Sequence, residues 1–454
     1  MMPIIKVRYQ MTNNVYSNRR KQLLNMMDDG IAIIASAKYA HKSNDTEFPF
    51  RQNSNFRYLT GLTEADSALI LSKKNGVEKQ IIFVRPKDEI AEMWAGKRLG
   101  PHKASELLGT DEGHSIEDLD KKLEELLPGH KSLYVHLSER TDIADKARKI
   151  AASLFSKKRA QQELPPETFK NVGHLIEKMR FIKDETEIAQ MREAMIVTDR
   201  AHRAAMALAN PGVSEQEVNA LMTYLFMKGP TQGSAYDNII AGGNNANCLH
   251  YIKNDEILNA GDLLLIDAGS ELNGYATDIT RTFPVSGKYT GIQKEVYNIV
   301  LESQLAAIEL SKPGNNATIL HNKVSEILTQ GLIDLKVLEG SVSSNIEQSN
   351  HRKFFPHGTG HWLGLDVHDQ NPYLVDGTSD PMPFTKGCIF TIEPGLYFSN
   401  EFTNIPEELK GIGIRIEDNI LITDNGHENL SHMIPKTVEE VEEACAKDVK
   451  DFLL

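Results

Sequence analysis

The stretch Asp262-Leu-Leu-Leu-Ile-Asp-Ala-Gly-Ser-Glu-Leu-Asn-Gly-Tyr-Ala-Thr-Asp-Ile-Thr-Arg-Thr-Phe283 decides the fold in the C-terminal part of this 454-residue chain. It reads as two β-strands joined by a tight turn at Asn273-Gly274. With that turn, Asp278 lies opposite Gly269, two positions from Asp267 on the partner strand. Because side chains alternate between the two faces of a strand, both aspartates are expected to point the same way.

The surroundings of Asp267 bear on what this pair of aspartates does. Asp267 follows the apolar run from Leu263 to Ile266, so its carboxylate enters an apolar layer. An ionised group is costly there unless a cation or hydrogen bonds compensate it. Taken alone, the segment also allows one turn aspartate and one solvated strand aspartate.

A second segment is rich in histidine and glycine. His357-Gly-Thr-Gly-His361-Trp-Leu-Gly-Leu-Asp-Val-His368 places three histidines in twelve residues, with three glycines between them. Glycine lets the backbone approach a ligand closely. A single histidine is more often a structural residue than a ligand, but three in one short segment favour a chemical role.

Two further carboxylates lie in strand-like segments, Phe390-Thr-Ile-Glu393-Pro-Gly395 and Gly411-Ile-Gly-Ile-Arg-Ile-Glu-Asp-Asn-Ile-Leu-Ile422. In the second segment isoleucines alternate with Gly413, Arg415 and Glu417, which predicts one apolar face and one face that pairs an arginine with a glutamate. An exposed edge strand with a surface ion pair would show the same alternation.

Taken together, these segments predict a two-metal site that consists of Asp267, Asp278, His361, Glu393 and Glu417. Four carboxylates balance the charge of two divalent cations, and one imidazole among many oxygens suits manganese, cobalt or iron better than a thiolate-type zinc site. Such a centre deprotonates a water molecule and stabilises the oxyanion formed when that water attacks a carbonyl. The residues therefore indicate a metallohydrolase.

The segments around these five residues, and the order in which they come, resemble the pita-bread metallopeptidases, the family of methionine aminopeptidase, prolidase and aminopeptidase P. The resemblance is greatest to the aminopeptidase P branch and runs over nearly the whole chain. Outside the candidate ligands it includes the segments 44–61, 93–100 and 248–251. The resemblance implies an α/β N-terminal domain over residues 1–175 and an α+β pita-bread catalytic domain over residues 176–454.

The resemblance also implies a role for each candidate ligand. Asp267 would bind one ion, and Asp278 and Glu417 would bridge both ions. His361 and Glu393 would complete the second ion's ligands. Glu393 would also shuttle the proton of the attacking water, the usual work of a carboxylate within hydrogen-bond reach of its substrate.

Further residues receive roles from the same resemblance. His250 and His368 would flank the reacting carbonyl and the leaving nitrogen as hydrogen-bond donors. His357 and Arg415 would line the pocket for the residue after the scissile bond, and Arg415 would also hold Glu417 in place. The remaining candidates are Tyr236 near the metal, Tyr397 as a plausible neighbour, Asp45 beyond the free amine, and Trp94 as a cap on a neighbouring subunit's site.

The implied activity is removal of one N-terminal residue when proline follows it, with two divalent ions, Mn(II) above others, as cofactor. Prolidase, which acts on Xaa-Pro dipeptides, has the same ligands and chemistry. A catalytically inactive pita-bread protein that serves as a binding module would normally have lost a ligand, and a creatinase-like hydrolase works without metal. Relatives suggest a homodimer or homotetramer.

Composition limits the partners and the compartment. The net charge of −13 argues against nucleic acid and against an anionic membrane surface, because both require cationic patches. The longest apolar runs are far too short for a membrane span, and residues 1–20 lack the apolar core of a signal peptide. Three widely spaced cysteines suit a reducing compartment. The prediction is a cytoplasmic protein that binds proline-containing peptides.

Periodicity predicts the remaining elements. Strands are expected at 31–35, 68–71, 81–84 and 133–137, with a helix over 115–127, and Pro165-Pro166 marks a break. A helix is predicted over 185–209, and Ser214 to Glu217 has the pattern of a capping box that starts another. The apolar spacing of Val438, Val441, Cys445, Val449 and Phe452 predicts a docked helix over 438–454, with a partner-binding helix as the alternative.

Overall fold

The structure is a computed structural model that describes residues 13–157, 159 and 163–453. The described chain divides into two compact units, one that runs to Met179 and one that starts at Arg180. None of the helices in these residues combines the length and apolarity that crossing a bilayer requires.

The N-terminal unit is built on a six-stranded mixed sheet in the order β6-β5-β4-β1-β7-β8. The central strand β1, Gly30–Ala35, has every residue buried, because apolar side chains cover both of its faces. It pairs antiparallel with β4, Ala68–Lys74, and parallel with β7, Ser132–Val135. The predicted strands are therefore present, and the predicted helix over 115–127 is a 3₁₀ turn, Ile116–Asp118, followed by α5, Leu119–Leu126.

The other strands of this unit are β2 His41–Ser43, β3 Thr46–Glu47, β5 Val77–Val84, β6 Glu112–Ser115 and β8 Thr168–Asn171. Its other helices are α1 Asn13–Met26, α2 Ser54–Thr60, α3 Glu89–Ala95, α4 Pro101–Leu108, α6 Thr141–Ser156 and α7 Val172–Phe181. The boundary between the two units lies in the last turn of α7.

The C-terminal unit contains two three-stranded antiparallel sheets, β13-β10-β9 and β14-β17-β18, with helices packed on them. Its strands are β9 Ile239–Gly242, β10 Leu263–Asp267, β11 Glu271–Leu272, β12 Tyr275–Ala276, β13 Thr280–Pro284, β14 Ile389–Ile392, β15 Gly395–Tyr397, β16 Gly413–Arg415, β17 Asp418–Ile422 and β18 His427–Asn429. Its helices are α8 Glu185–Leu208, α9 Glu215–Lys228, α10 Gly291–Glu309, α11 Ala317–Asp334, α12 Val342–Glu347 and α13 Val438–Cys445.

The predicted hairpin is present with the predicted turn, but it is not two unbroken strands. Asn273 and Gly274 have φ of 52° and 88°, the left-handed pair that a tight two-residue turn requires. The pairing of Glu271 with Ala276 and of Asp267 with Thr280 is one continuous register, which sets Asp278 opposite Gly269. Around Gly269 the ladder is interrupted, so four short strands replace two long ones.

Helix starts agree with the sequence patterns, and one helix end does not. Ser214 and Glu217 form the predicted capping box at the start of α9. The predicted helix over 438–454 is wrong in its length. α13 ends at Cys445, and a 3₁₀ turn, Val449–Phe452, follows it. Val441 and Ala444 still pack in the core beneath α8, so the segment is docked as expected.

Candidate metal centre

The hairpin of β10 and β13 brings the two aspartates together. Asp267 is the last residue of β10, and Asp278 precedes β13 in the register that puts both on one face. The hydroxyl of Tyr236 donates to Oδ1 of Asp267 at 2.6 Å and to Oδ1 of Asp278. One phenol therefore spans the gap between the two carboxylates.

The second sheet supplies the two glutamates. Glu393 follows β14, and Glu417 precedes β17, which pairs with β14. Glu417 is tied to the first sheet, because its backbone N–H donates to the Thr280 carbonyl at 3.0 Å and the Thr280 hydroxyl donates to its Oε2 at 2.7 Å. The carboxylates of both sheets thus face one region.

His361 enters this region from a segment that runs beside β14. The Thr391 N–H donates to the His361 carbonyl at 2.9 Å, and a Cβ on Gly360 would lie 1.8 Å from the Thr391 carbonyl oxygen. The segment therefore requires glycine at 360. Nδ1 of His361 lies 3.0 Å from the Trp362 carbonyl, which assigns the ring proton to Nδ1 and leaves Nε2 as the ligand atom.

The ligand atoms converge. One ligand atom each from Asp278, His361 and Glu417 lie within 4.8 Å of one another. Nε2 of His361 is 3.3 Å from Oδ2 of Asp278 and 3.5 Å from Oε1 of Glu393. All five candidate ligands line one cavity of about 620 Å³.

The buried carboxylates of this cavity favour the binding of cations. Burial and the neighbouring acidic groups raise the pKa of Glu417 well above its ordinary value, and burial raises the pKa of Glu393 to about 7. Burial also raises the pKa of Asp267. Four carboxylates this close cannot all stay ionised without added positive charge. A set of carboxylate oxygens with one imidazole nitrogen fits divalent cations that prefer oxygen ligands.

Asp278 and His361 behave as a pair. Burial opposes ionisation of Asp278, but its contact with His361 holds the pKa of Asp278 below the ordinary value. Burial likewise lowers the pKa of His361, and Asp278 and Glu393 outweigh burial and raise it to about 9. A cation that binds between these groups would displace the proton of His361, since a ligating imidazole must be neutral.

Arg415 is buried and belongs to the same cluster. Its Nη2 lies 2.6 Å from Oδ2 of Asp267. Its Nε is 3.1 Å from the Thr280 hydroxyl, and that hydroxyl donates to Glu417. Arg415 therefore contacts Asp267 directly and reaches Glu417 through Thr280.

A chain of hydrogen bonds extends from Arg415 to His357. Nη1 of Arg415 donates to the Tyr397 hydroxyl at 3.0 Å, and that hydroxyl lies 2.8 Å from Nε2 of His357. Nδ1 of His357 faces the Gly358 carbonyl at 2.8 Å, so Tyr397 donates to Nε2. Burial and the charge of Arg415 lower the pKa of His357 to about 3, and the ring is neutral.

The other predicted residues fall into two groups. His250 and His368 line the cavity, and the His368 ring lies 4.0 Å from the ring of His361, centroid to centroid. Asp45 and Trp94 belong to the N-terminal unit. Asp45 lies in the exposed turn between β2 and β3, and Trp94 on α3 is 86% exposed.

Sequence patterns did not indicate several residues that fix the ligands. Asn419 accepts from the Asp278 N–H at 3.1 Å and donates to its carbonyl. Arg281 donates to the Glu417 carbonyl at 2.6 Å. It also forms an ion pair with Asp418 at 2.8 Å, and the side chains of Arg281 and Asp418 are fully buried. The sequence signal that could have indicated them is a charged residue within an otherwise apolar strand, Arg281 in β13 and Asp418 in β17.

The comparisons with known proteins agree with this geometry. The model of metallopeptidase family M24 matches residues 189–424, and the model of the aminopeptidase P N-terminal domain matches residues 16–135. The chain is 40% identical to the Xaa-Pro aminopeptidase of Haemophilus influenzae over 94% of this chain and 96% of that protein. It is 38% identical to the Xaa-Pro aminopeptidase of Escherichia coli, over 95% and 98%.

Solved structures give the same result. Escherichia coli aminopeptidase P with the inhibitor Pro-Leu has a TM-score of 0.93 at 38% identity, over 97% of this chain and 99% of that chain. An aminopeptidase from Pseudomonas aeruginosa also has a TM-score of 0.93, at 37% identity and the same coverage. The predicted α/β N-terminal domain and pita-bread C-terminal domain are confirmed. The chain belongs to metallopeptidase family M24, in its group of Xaa-Pro aminopeptidases.

Proposed function

We propose that this chain is a two-metal aminopeptidase that releases the N-terminal residue from peptides with proline in second position. The observation that supports it most is the convergence of Asp278, His361 and Glu417 within 4.8 Å, among carboxylates whose charge requires cations. Asp267 would bind one ion, His361 and Glu393 the other, and Asp278 and Glu417 both. Four carboxylates match two divalent ions, and Mn(II) suits their oxygen-rich set.

Two divalent ions held by these residues would supply Lewis-acid chemistry, which lowers the pKa of a water molecule and stabilises negative charge on a peptide carbonyl oxygen. Glu393 accepts the water proton and passes it to the leaving nitrogen. His250 and His368, on the cavity wall, donate hydrogen bonds to the carbonyl oxygen as negative charge develops there. Tyr236 holds the two aspartates at a fixed separation.

The proline pocket is assigned to His357, Tyr397 and Arg415. His357 and Arg415 line the cavity, and both are hydrogen-bonded to the Tyr397 hydroxyl. An Xaa-Pro bond has no N–H to donate, and the proline ring fixes the direction of its backbone. A pocket that needs no amide hydrogen bond therefore accepts proline.

The remaining assignments concern the domains, the assembly and the compartment. Residues 176–454 form the catalytic domain and residues 1–175 the N-terminal domain, which is supported by the change of unit at Met179. Trp94 caps the site of a neighbouring subunit in a homodimer or homotetramer. A cytoplasmic location is supported by three free cysteines.

The test uses metal-stripped protein to which Mn²⁺, Co²⁺ or Zn²⁺ is added back singly. Xaa-Pro-Xaa peptides should lose one residue, at least as fast as Xaa-Pro dipeptides, and most rapidly with Mn²⁺. Cleavage of dipeptides alone would make the chain a prolidase. If Xaa-Ala peptides are cleaved as fast as Xaa-Pro peptides, the assignment of the proline pocket is wrong.

A further inference from the structure

A network of four charged side chains lies beside the segment that carries His368. Nη2 of Arg180, in the last turn of α7, lies 2.6 Å from Oδ2 of Asp366 and also contacts Oδ1 of Asp369. Nζ of Lys183 lies 3.2 Å from Oδ2 of Asp369, and the side chains of Arg180, Lys183 and Asp369 are at most 2% exposed. Two cations balance two carboxylates in this network, and none of the roles assigned above uses them.

Arg180 ties together the two ends of a four-residue bend. Asp366 and Asp369 are those ends, and the same guanidinium nitrogen contacts both carboxylates. We call Arg180 and its two carboxylate partners the ion-pair clamp. The two residues between the ends, Val367 and His368, both line the cavity of the metal centre. A shift of either carboxylate would therefore move the backbone that carries His368.

The clamped bend is also joined to the candidate metal ligand His361. The Asp369 N–H donates to the Trp362 carbonyl at 2.9 Å, and Nδ1 of His361 lies 3.0 Å from the same oxygen. A Cβ on Gly364 would lie 2.4 Å from Oδ2 of Asp369, so the backbone of this segment packs directly against that carboxylate. The placement of His368 relative to His361 therefore depends on Asp369.

The imidazole of His368 is not held by a hydrogen bond of its own to any residue that the structure describes. Its ring packs against the ring of His361, and the backbone of the bend sets the rest of its position. A donor to a developing oxyanion works only when it is placed accurately. We propose that the ion-pair clamp positions His368 for the reaction, and that its three residues act without touching the substrate. This inference rests on the proposed function.

The first experiment opens the clamp at Asp366, whose side chain is 28% exposed and whose loss leaves Arg180 paired with Asp369. Removal of Asp369 would instead leave two buried cations short of negative charge and destabilise the fold. Asp366→Ala should lower kcat for Ala-Pro-Ala roughly tenfold and leave KM and metal content unchanged, because the rate depends steeply on the placement of the reacting groups. Asp366→Asn keeps an acceptor for Arg180 and should retain most of the kcat.

A surface ion pair provides the matched control. Asp424→Ala also removes the carboxylate of an ion pair, the one with Lys386 at 2.7 Å, and neither residue lines the cavity. This variant should have the kcat of the wild type. Arg180→Lys preserves the charge of the network, but the shorter ammonium does not span both carboxylates, so it should lose kcat as Asp366→Ala does. Urea unfolding and elemental analysis establish that each variant is folded and holds its metal.

The second experiment asks whether the clamp acts through His368. In the His368→Ala protein, the further change Asp366→Ala should lower kcat no more, because both changes remove the same contribution. A network that only stabilises the fold would give losses that multiply.

The inference is overturned if both Asp366→Ala and Arg180→Lys keep the wild-type kcat, if either loses its metal, or if the losses in the double variant multiply. A wild-type protein that cleaves no Xaa-Pro peptide would instead contradict the proposed function.

Discussion

Tyr236 shows, at the scale of single residues, how strongly the ligands depend on their neighbours. Its hydroxyl lies within hydrogen-bond distance of Oδ1 of both Asp267 and Asp278, so the two carboxylates share its one proton. Burial and the carboxylates keep the pKa of this phenol well above its ordinary value, so the hydroxyl remains a donor. The aspartates are therefore held at a fixed separation before any cation binds, which reduces the cost of metal binding.

Removal of either carboxylate that we propose to bridge the two ions should lower the metal content. In Glu417→Ala or Asp278→Ala the cations lose a shared ligand and face excess positive charge, so both metal content and activity should fall. Elemental analysis after gel filtration measures the content, and Glu401→Ala, at an exposed glutamate, is the control. Two tightly held metals in either variant would contradict the assignment.

His368 should separate chemistry from metal binding. It lines the cavity, and its ring lies 4.0 Å from that of His361, centroid to centroid. His368→Ala should keep its metal and lose roughly two to three orders of magnitude in kcat, the scale of one oxyanion donor. His432→Ala, at an exposed histidine outside the cavity, should retain full activity. A near-normal kcat in His368→Ala would make that residue structural.

At this scale the sequence indicated the candidate ligands but not the residues that hold those ligands by hydrogen bonds. Each of the five stands in an apolar segment beside glycine, a local pattern that one sequence displays. Thr280 acts through a contact with Glu417 that spans 137 positions. Nothing local to a threonine in a strand indicates such a partner, so this residue could not be predicted.

At the scale of elements, close approach of backbones positions the ligands. Gly360 packs against Thr391 as Gly269 packs against Thr277, and in each case a Cβ would fall within 2 Å of a carbonyl oxygen.

Gly360→Ala should therefore destabilise the protein by about 1–3 kcal/mol or more and shift His361. Urea unfolding tests the stability. Gly358→Ala is the matched control, since its nearest atom would be 3.9 Å away. Equal stability of the two variants would contradict this account.

Helix α8 carries a buried histidine whose protonation should limit acid stability. Nε2 of His202 donates to the Ala268 carbonyl at 2.9 Å, and burial, with a smaller effect of the Arg281 charge, lowers its pKa to about 3. Between that value and the ordinary pKa of about 6.5 the unfolded state binds the proton and the folded state does not. Stability should therefore fall as the pH decreases through this range, by up to about 1.4 kcal/mol per pH unit.

The variant His202→Gln keeps a donor for Ala268 and cannot titrate. The free energy of unfolding, measured by urea at several pH values, should depend less steeply on pH for this variant than for the wild type between about pH 6.5 and 4. Identical slopes for the two proteins would show that His202 does not contribute to the acid sensitivity.

Elements were predictable where a local signal fixes them. The Asn273-Gly274 turn and the capping box at Ser214 depend on residues within a few positions of each other. The break of the hairpin ladder at Gly269 depends on a close contact with Thr277, and the end of α13 at Cys445 depends on packing beneath α8. Spacing of apolar residues alone predicted longer elements in both places.

At the scale of the whole molecule, the two units were foreseen from patterns of different kinds. Buried β-branched strands indicated the N-terminal unit, and the candidate ligands indicated the C-terminal one. The pairing of β13 with the end of β16 and the start of β17, which joins the two sheets, involves residues more than 130 positions apart. Only the family resemblance could anticipate it.

The division of the ligands between two sheets has a consequence for heat resistance. Asp267 and Asp278 lie at one sheet and Glu393 and Glu417 at the other, so a cation held by these proposed ligands would link the two sheets. Because cations bind the folded chain in preference to the unfolded one, each contributes RT ln(1 + [M]/Kd) to stability. The melting temperature should therefore rise with free Mn²⁺ and drop when a chelator is present, so a melting curve reports the free manganese concentration. In Glu417→Ala, scanning calorimetry should find that this dependence is largely lost.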